Sequence, residues 1–337
     1  MHMSPVHIAS RDANPPPRGP RPFDPLPVLA TGTEVLVRPG NRIHIGSDPQ
    51  RGMLFEFDAQ VIAARVADLL RSLTQPRSRR DVTGDLRSAG LDADDLDRIL
   101  ARLVEHARAF VVPPRNSPST APTTSAAESA PSTTGTVSTT GTVSATSTVG
   151  LRVRVHGSGP LATQLGSTLA ESGILHRKSV HRPASGRVVT EWGANLVVLT
   201  DYQVHEPWVV GGLMSGGVPH LQVRVRDGVG IVGPLVLPGL SSCLDCADRH
   251  RSDLEPAWPL LAAQLVRTPG HASAGIVRAT AALAHEQIEQ LAAELRGRSP
   301  TRTPHLVNRV LELHPQPPRI EVKTWTPHPL CTCRSVA

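Results

Sequence analysis

The chain has few aromatic residues and few lysines. Aromatic residues make up 3% of its 337 positions, and Lys178 and Lys323 are the only lysines, so arginine supplies nearly all the positive charge. Nucleic-acid-binding surfaces interleave basic residues with aromatic ones. The formal net charge of +6 therefore indicates an arginine-rich solvated surface, and we expect no nucleic-acid partner. The cores must be built from Val, Leu, Ile and Ala.

Long apolar runs are also absent from the sequence. No stretch reaches the roughly 18 apolar residues that a membrane-spanning helix needs, because Arg, Asp or Gly interrupts the longest candidates. The first 23 residues are polar and proline-rich, without the apolar centre of a secretory signal. We therefore expect a soluble, cytoplasmic protein with no membrane partner.

Cysteine is present only as two close pairs. Cys243 and Cys246 form a C-x-x-C motif, and Cys331 and Cys333 form a C-x-C motif. Four thiolates supplied two and two are the usual ligand set of a tetrahedral structural zinc ion. Such a zinc would be structural rather than catalytic, because sulfur fills all four positions, and it would tie residues 331–333 to residues 243–246.

Three other uses of these cysteines stay open at this point. Two disulfides would require an oxidising compartment. A redox C-x-x-C pair would leave the C-x-C motif unexplained. An iron–sulfur cluster also takes four thiolates, although nothing else in the sequence favours one.

Two low-complexity segments divide the chain. Residues 1–25 are rich in Pro and Arg, and residues 116–150 are almost entirely Ser, Thr, Ala, Pro and Gly, with a six-residue repeat at 133–138 and 139–144. Such segments cannot bury enough apolar surface to offset their backbone entropy. The sequence predicts disorder over both, and therefore an N-terminal domain at 26–115, a linker at 116–150 and a C-terminal domain at 151–337.

The N-terminal domain combines a hairpin with helical segments. Alternating residues at 34–38 and 42–46 flank a Pro-Gly turn, and the last apolar run, 110–112, predicts a strand. This order suggests a winged helix. The last helix is rich in acid, which favours peptide or protein binding over DNA binding, although DNA remains an alternative. Helices are predicted at 61–73, 81–89 and 92–107.

The C-terminal domain begins with a strand, a glycine-containing turn and a helix, which is how nucleotide-binding folds begin. The strand 151–156 leads into Gly157 and Gly159 and then a helix, and a second buried strand, 195–200, ends at Asp201. Glycines at this turn let a phosphate approach a helix N-terminus. A tight turn with no ligand would need the same glycines.

Further strands and helices are predicted downstream in the C-terminal domain. A helix is predicted at 207–214, and a long helix at 274–295 has an apolar face at spacings of three and four. That face is Val277, Ala281, Ala284, Ile288, Leu291 and Leu295. Strands are predicted at 217–223, 229–236, 306–311 and 319–323.

The order of these motifs resembles the ThiF-like, ubiquitin-activating-enzyme-like fold. The segments 233–246 and 328–333, which carry the four cysteines, look more narrowly like the actinobacterial cyclodehydratase or leader-peptide-binding proteins of thiazole/oxazole-modified peptide biosynthesis. The resemblance implies a PqqD-like winged-helix domain joined to a ThiF-like, Rossmann-type α/β domain. It also implies a precursor or leader peptide and a YcaO-type, ATP-dependent cyclodehydratase as partners, and a homodimer.

The sequence departs from the adenylating members of that fold. No acid stands about 20 residues after Gly157, where the chain reads His176-Arg177-Lys178, and Tyr202 follows Asp201 where the family pattern has Asn. The region 173–195 is short for the usual second and third strands, and no fifth cysteine exists to form a thioester. We therefore expect a peptide-binding scaffold without catalysis of its own.

An enzymatic alternative stays open. An ATP-dependent adenylating enzyme would use Gly157, Gly159 and Asp201 as its nucleotide site, and a variant binding NADP would add Arg177 and Lys178. His328, close to Cys331, would either support a zinc thiolate from the second shell or be a plain surface histidine.

Overall fold

The chain is described by a computed structural model at residues 6–8, 23–49, 51–112, 150–180, 192–295 and 305–334. Within these ranges it is a mixed α/β protein with one large mixed sheet. The predicted linker 116–150, apart from Gly150, lies outside the described residues. None of the described helices has the length and apolar character needed to cross a membrane.

The N-terminal half forms a four-stranded sheet against three helices. The strands are β1 (Val6–Ile8), β2 (Val28–Leu29), β3 (Val35–Arg38), β4 (Arg42–Ile45), β5 (Met53–Phe57) and β6 (Ala109–Phe110). The sheet order is β1-β5-β4-β3, and β2 pairs separately with β6. The helices are α1 (Ala63–Ser72), α2 (Thr83–Ala89) and α3 (Ala93–Glu105).

Strands β1, β2 and β5 were not predicted from the sequence. The segment 53–57 alternates with Met53, Phe55 and Phe57 buried, so β5 is the third strand of the sheet. Strand β1 lies inside the segment 1–25 and pairs in parallel with β5. The prediction of disorder over 1–25 is therefore wrong for Val6–Ile8. The winged-helix interpretation of this half stays a prediction.

Asn41 couples the predicted hairpin to the first helix. It has a positive φ of 55° in the β3–β4 turn, next to Gly40. Its Nδ2 donates to the carbonyl oxygens of Asp58 and Val61, both at 2.8 Å, and its Oδ1 accepts from the Ala63 amide at 3.0 Å. Asn41 thereby satisfies backbone groups at the start of α1. It takes the place of a side-chain cap, because the residue at the N-cap position of this helix supplies none.

The C-terminal half is built on a seven-stranded sheet in the order β13-β12-β11-β10-β9-β7-β8. Strands β8, β7, β9 and β10 run parallel, and β10 to β13 form an antiparallel meander. The strands are β7 (Val153–His156), β8 (His176–Ser179), β9 (Leu196–Thr200), β10 (His220–Arg226), β11 (Val229–Val236), β12 (Arg309–Pro315) and β13 (Pro318–Thr324). The helices are α4 (Pro160–Glu171), α5 (Pro207–Ser215), α6 (Leu244–Leu254), α7 (Trp258–Gln264) and α8 (Ala274–Leu295).

Two predicted strands begin about three residues later than expected. The amide of Gly217 still bonds back to Met214, in the turn that ends α5, so β10 starts at His220. Asn308 has a positive φ of 56°, which ends the preceding turn and delays β12 to Arg309. In both places a local turn, rather than apolar patterning, sets the start of the strand.

The apolar face of α8 differs from the expectation. Leu295 is 52% exposed, whereas Ile276 and Thr280 are buried. A Cβ placed on Gly230 would lie 1.9 Å from Thr280 Oγ1, so glycine in β11 is what lets this helix approach the sheet. The threonine hydroxyl is satisfied by the Ile276 carbonyl oxygen, and so tolerates burial.

The two halves dock through buried charged groups. Arg226 pairs with Asp48 at 2.8 Å, and Arg108 pairs with Asp227 at 3.0 Å. Asp227 Oδ2 also accepts from the amides of Ser47 and Asp48. These pairs hold the N-terminal half against the C-terminal half.

An apolar contact and an amide pair complete this docking. Leu36 of β3 packs with Trp258, Leu261 and Leu265 at α7. The side chain of Gln264 pairs with β3 like a further strand, since its Oε1 accepts from the Val37 amide and its Nε2 donates to the Val37 carbonyl oxygen, both at 2.9 Å. The β3 edge of the N-terminal sheet is thus covered by the C-terminal half.

Glu34 makes this docking pH-dependent. Burial, followed by the negative charge of Asp227, raises its pKa from the ordinary 4.5 to about 7. Between these values the unfolded chain has lost the proton while the folded chain keeps it, so stability falls as the pH rises from 4.5 to 7. We expect Glu34→Gln to remove this dependence and to stabilise the protein at pH 8 by about 1–2 kcal/mol, after allowance for partial exposure.

Urea unfolding at several pH values measures this effect. Glu286→Gln, on the exposed face of α8, is the matched control and should leave the slope unchanged. If the wild type and Glu34→Gln show parallel pH profiles, Glu34 ionises normally and the prediction is wrong.

Candidate functional site

The four cysteines meet at the start of α6. Cys243 is the N-cap of that helix, and its Sγ accepts from the Cys246 amide at 3.4 Å. The Sγ–Sγ distances are 3.7 Å from Cys243 to Cys246, 3.6 Å from Cys243 to Cys331 and 3.5 Å from Cys246 to Cys333. A tetrahedron of sulfurs about 2.3 Å from a zinc ion has edges of about 3.8 Å. The cluster therefore fits a metal ion of that size.

Burial and charge explain why this cluster suits a cation. Burial raises the pKa of the Cys243 thiol far above its ordinary value and that of Cys331 to about 12. Burial also acts on Cys246, but hydrogen bonds from the backbone at His328 and Cys243 outweigh it and lower that pKa. Four crowded thiolates need a bound positive charge, and a divalent metal ion supplies one.

His328 shapes the turn that presents Cys331. Its ring is buried, Nδ1 accepts from the Leu330 amide at 3.1 Å and Nε2 lies 2.9 Å from Asp253 Oδ2. Both ring nitrogens thus bond to groups other than the sulfurs. His328 contacts the cluster through its backbone. The alternative of a plain surface histidine is wrong, because the residue is only 7% exposed.

The glycine loop between β7 and α4 is filled by the protein itself. Asp201, which follows β9 with a positive φ of 68°, is buried against the N-terminus of α4. Its Oδ1 accepts from the Leu161 amide at 2.9 Å and its Oδ2 from the Ala162 amide at 3.2 Å. A Cβ on Gly159 would lie 2.5 Å from Asp201 Oδ1, and one on Gly157 would lie 2.2 Å from Thr200 Oγ1.

This arrangement gives Asp201 the place that a phosphate takes in nucleotide-binding folds. A helix N-terminus attracts negative charge through its unpaired amides and its dipole. Here a carboxylate from the same chain uses those amides, although burial raises the pKa of Asp201. The glycines at 157 and 159 allow the close approach of Thr200 and Asp201.

The residues of the NADP alternative lie elsewhere. Arg177 lines a cavity of about 480 Å³ with Arg152 and Arg154, at the amino end of the parallel strands and so opposite Gly157. Lys178 lies along α4, where a Cβ on Gly166 would be 2.5 Å from its Cε. Neither basic side chain reaches the glycine loop, so that alternative is not supported.

The carboxyl edge of the parallel strands also buries a group that sequence analysis missed. His156 ends β7, and His205 and Glu206 follow Asp201 in the connection from β9 to α5. Ligands of open α/β sheets lie outside the carboxyl ends of the strands. The signal in the sequence was therefore the position of these residues after two predicted parallel strands.

Comparison with known proteins gives structural neighbours only. No protein-family model and no curated protein matches the chain. A heterocyclase in complex with substrate and cofactor superposes with a TM-score of 0.43 and 14% identity, over 92% of this chain and 39% of that one. Escherichia coli MccB with MccA gives 0.41 and 13%, over 93% and 100%, and the heterocyclase TruD gives 0.42 and 14%, over 91% and 42%.

These similarities are too distant to assign a function. Every TM-score lies below 0.5 and every identity below 15%, and the chain spans about two fifths of the length of the two heterocyclases. The neighbours are heterocyclases and MccB by name. Function must be argued from this chain's own residues.

We expect the sulfur cluster to bind one zinc ion per chain. Cys246→Ser should abolish stoichiometric zinc and release the arm that carries Cys331 and Cys333, because metal binding and local folding are coupled. Metal analysis and limited proteolysis of this arm measure both effects, with His220→Gln as a control in the same sheet. A metal-free protein with no titratable thiols after denaturation would instead indicate two disulfides.

We expect Asp201→Ala to destabilise the protein by about 1–2 kcal/mol, the cost of losing a helix N-cap. Asp92→Ala is the matched control, because Asp92 caps α3 by accepting from the Asp95 amide at 2.7 Å. Urea unfolding measures both. The wild type should show no heat on titration with ATP and magnesium, and micromolar binding that Asp201→Ala removes would overturn the self-filled loop.

Proposed function

We propose that this chain is a peptide-binding and scaffolding partner in the biosynthesis of thiazole/oxazole-modified peptides. In this proposal the unit at 26–115 is a winged helix that binds a precursor or leader peptide. The unit at 151–337 is a ThiF-like, zinc-stabilised platform that docks a YcaO-type cyclodehydratase, which carries out the ATP-dependent chemistry. The motif resemblance at the cysteines and the geometry of the two units support it.

The observation that carries the proposal is the pairing of β1 with β5. Val6, His7 and Ile8 lie opposite Phe55, Glu56 and Phe57 as an added parallel strand. Ile8 is 1% exposed and belongs to the N-terminal core. This edge therefore accepts an extended segment through main-chain hydrogen bonds and an apolar side-chain pocket, which is how peptides bind by strand addition.

The position of the β5 edge would allow a separate peptide chain to bind there. The opposite edge, β3, is covered by Gln264 and α7. Among the described residues, the β5 edge is covered by a three-residue strand of the chain itself. A leader peptide would have to displace β1 from this edge. Competition from β1 would therefore lower the apparent affinity of the peptide.

The glycine loop supports a scaffold rather than an adenylating enzyme. The Asp201 carboxylate already bonds to the amides that would hold a phosphate, and the sulfur cluster has no position left for a substrate. Adenylation would require Asp201 to leave the helix N-terminus before ATP enters. The buried ion pairs between the two halves hold the peptide-binding edge at a fixed place on the platform.

A peptide made from the chain's own segment tests the binding edge. We expect a fluorescent peptide of residues 1–12 to bind a chain that lacks those residues and to bind the intact chain at least tenfold more weakly, because β1 occupies the edge. The same peptide with Ile8→Asp should not bind, since the buried pocket excludes a charge. Fluorescence anisotropy measures all three affinities, and circular dichroism checks that the shortened chain is folded.

Partner binding is measured separately, with the purified YcaO-type enzyme of the same genome. Binding of that enzyme to the intact chain, together with competition of the labelled peptide by its precursor substrate, would support the proposal. A folded, shortened chain that binds neither the 1–12 peptide nor the precursor would refute peptide binding at β5. Formation of an acyl-adenylate by the chain alone would favour the adenylating enzyme.

A further inference from the structure

Three metal-binding side chains meet at the carboxyl edge of the parallel strands, apart from the cysteine cluster. His156, His205 and Glu206 each offer a ligand atom, and these atoms all lie within 4.8 Å of one another. All three residues are buried, with exposures of 4%, 4% and 2%. Ligands about 2.1 Å from one ion are about 3.4 Å apart in a tetrahedron, so small side-chain rotations would close the set.

Among the described residues, His205 is the histidine for which both ring nitrogens are buried and unpartnered. A buried polar group normally has a partner, and each exception calls for an explanation such as an ion. Both nitrogens are therefore available to bind an ion, and an imidazole nitrogen is a common metal ligand.

The other two residues are held in place by neighbours, as metal ligands are. His156 Nδ1 lies 3.2 Å from Ser179 Oγ, which directs Nε2 to the opposite side of the ring. Glu206 accepts a hydrogen bond from Arg267 at 2.8 Å, and Arg267 in turn lies over the ring of Tyr202. Hydrogen bonds from the second shell fix ligand orientation in metal sites in this way.

Packing alone gives an incomplete account of the cluster. His156 meets Trp192 edge-on at 5.3 Å, and His205 meets Tyr202 edge-on at 5.5 Å. These ring contacts explain the apolar faces of the two imidazoles. They do not satisfy the ring nitrogens of His205.

The ligand types indicate the kind of ion. Glu206 is the only carboxylate in the group, beside two imidazoles. Ca²⁺ and Mg²⁺ depend on several oxygen ligands, so this site does not suit them. Two imidazoles and one carboxylate are a ligand set for transition metals such as zinc or iron.

We propose that His156, His205 and Glu206 form a second metal site, which binds a divalent first-row transition ion at the carboxyl edge of β7 and β9. The ion links the end of β7 to the connection between β9 and α5. Its ligands are nitrogen and oxygen, so it differs in chemistry from the all-sulfur cluster at α6. The site stands whether or not the chain binds peptides, because none of its residues takes part in that proposal.

Cobalt is the probe, because its spectrum distinguishes the two ligand sets. The full chain is refolded with Co²⁺, since the site is buried and fills as the protein folds. We expect two cobalt ions per chain, one with intense sulfur charge-transfer bands and one with weak ligand-field bands only. Cys246→Ser should lose the first signal and keep the second.

Two substitutions test the ligands, and a third serves as the control. His205→Phe keeps a ring in the packing cluster but removes both nitrogens, and Glu206→Gln removes the charge. Each should lower the cobalt content from two ions to one and leave the sulfur bands intact. His220→Phe is the control, because His220 is also fully buried but is not part of the cluster, and it should keep both ions.

Two outcomes would overturn the proposal. One is a wild-type chain that takes up a single cobalt ion with sulfur bands, and the other is His205→Phe that still binds two. If the variants do not fold, cadmium NMR of the wild-type chain decides the matter. A second resonance outside the four-sulfur region supports the site, and a four-sulfur resonance alone refutes it.

Discussion

The carboxylate of Asp201 is the contact on which the centre of the C-terminal half depends. It joins the end of β9 to the first turn of α4, beside the end of β7. Its positive φ turns the chain so that His205 and Glu206 reach back toward His156. A charge at a helix N-terminus gains from the dipole and from unpaired amides. One residue therefore closes the glycine loop and positions the chain that follows it.

The cysteine cluster likewise joins distant parts of the chain at the start of α6. Residues 88 positions apart, Cys243 and Cys331, come within 3.6 Å, and the arm between β13 and the last described residues is fixed by that meeting. His328 stabilises the arm, because one ring nitrogen accepts from the Leu330 amide and the other lies in hydrogen-bond contact with Asp253. The metal is proposed as zinc because sulfur spacing and ligand softness agree.

The docking of the two halves gives the proposed scaffold its geometry. Buried ion pairs at Asp48 and Asp227 are costly to separate, because each would leave an unpaired charge. They hold the N-terminal sheet so that its β3 edge lies against α7. Its β5 edge pairs with β1, a short strand of the same chain. The cyclodehydratase and leader-peptide partners remain proposals, and they rest on this edge and on the cysteine motifs.

The sequence by itself determined most of the regular elements and the four sulfur ligands. Apolar periodicity predicted α1 to α5, α8 and most of the buried strands, but not α6 or α7. Short cysteine spacings predicted which residues would meet. Apolar periodicity missed β1, β2 and β8, which are too short to carry a clear apolar signal, and it also missed β5, although Met53, Phe55 and Phe57 alternate there. Only the tertiary structure decided that Asp201 fills the glycine loop and that His205 lies beside His156. Those facts depend on which strands become neighbours and on how closely backbone can approach backbone, and neither is encoded in any local pattern.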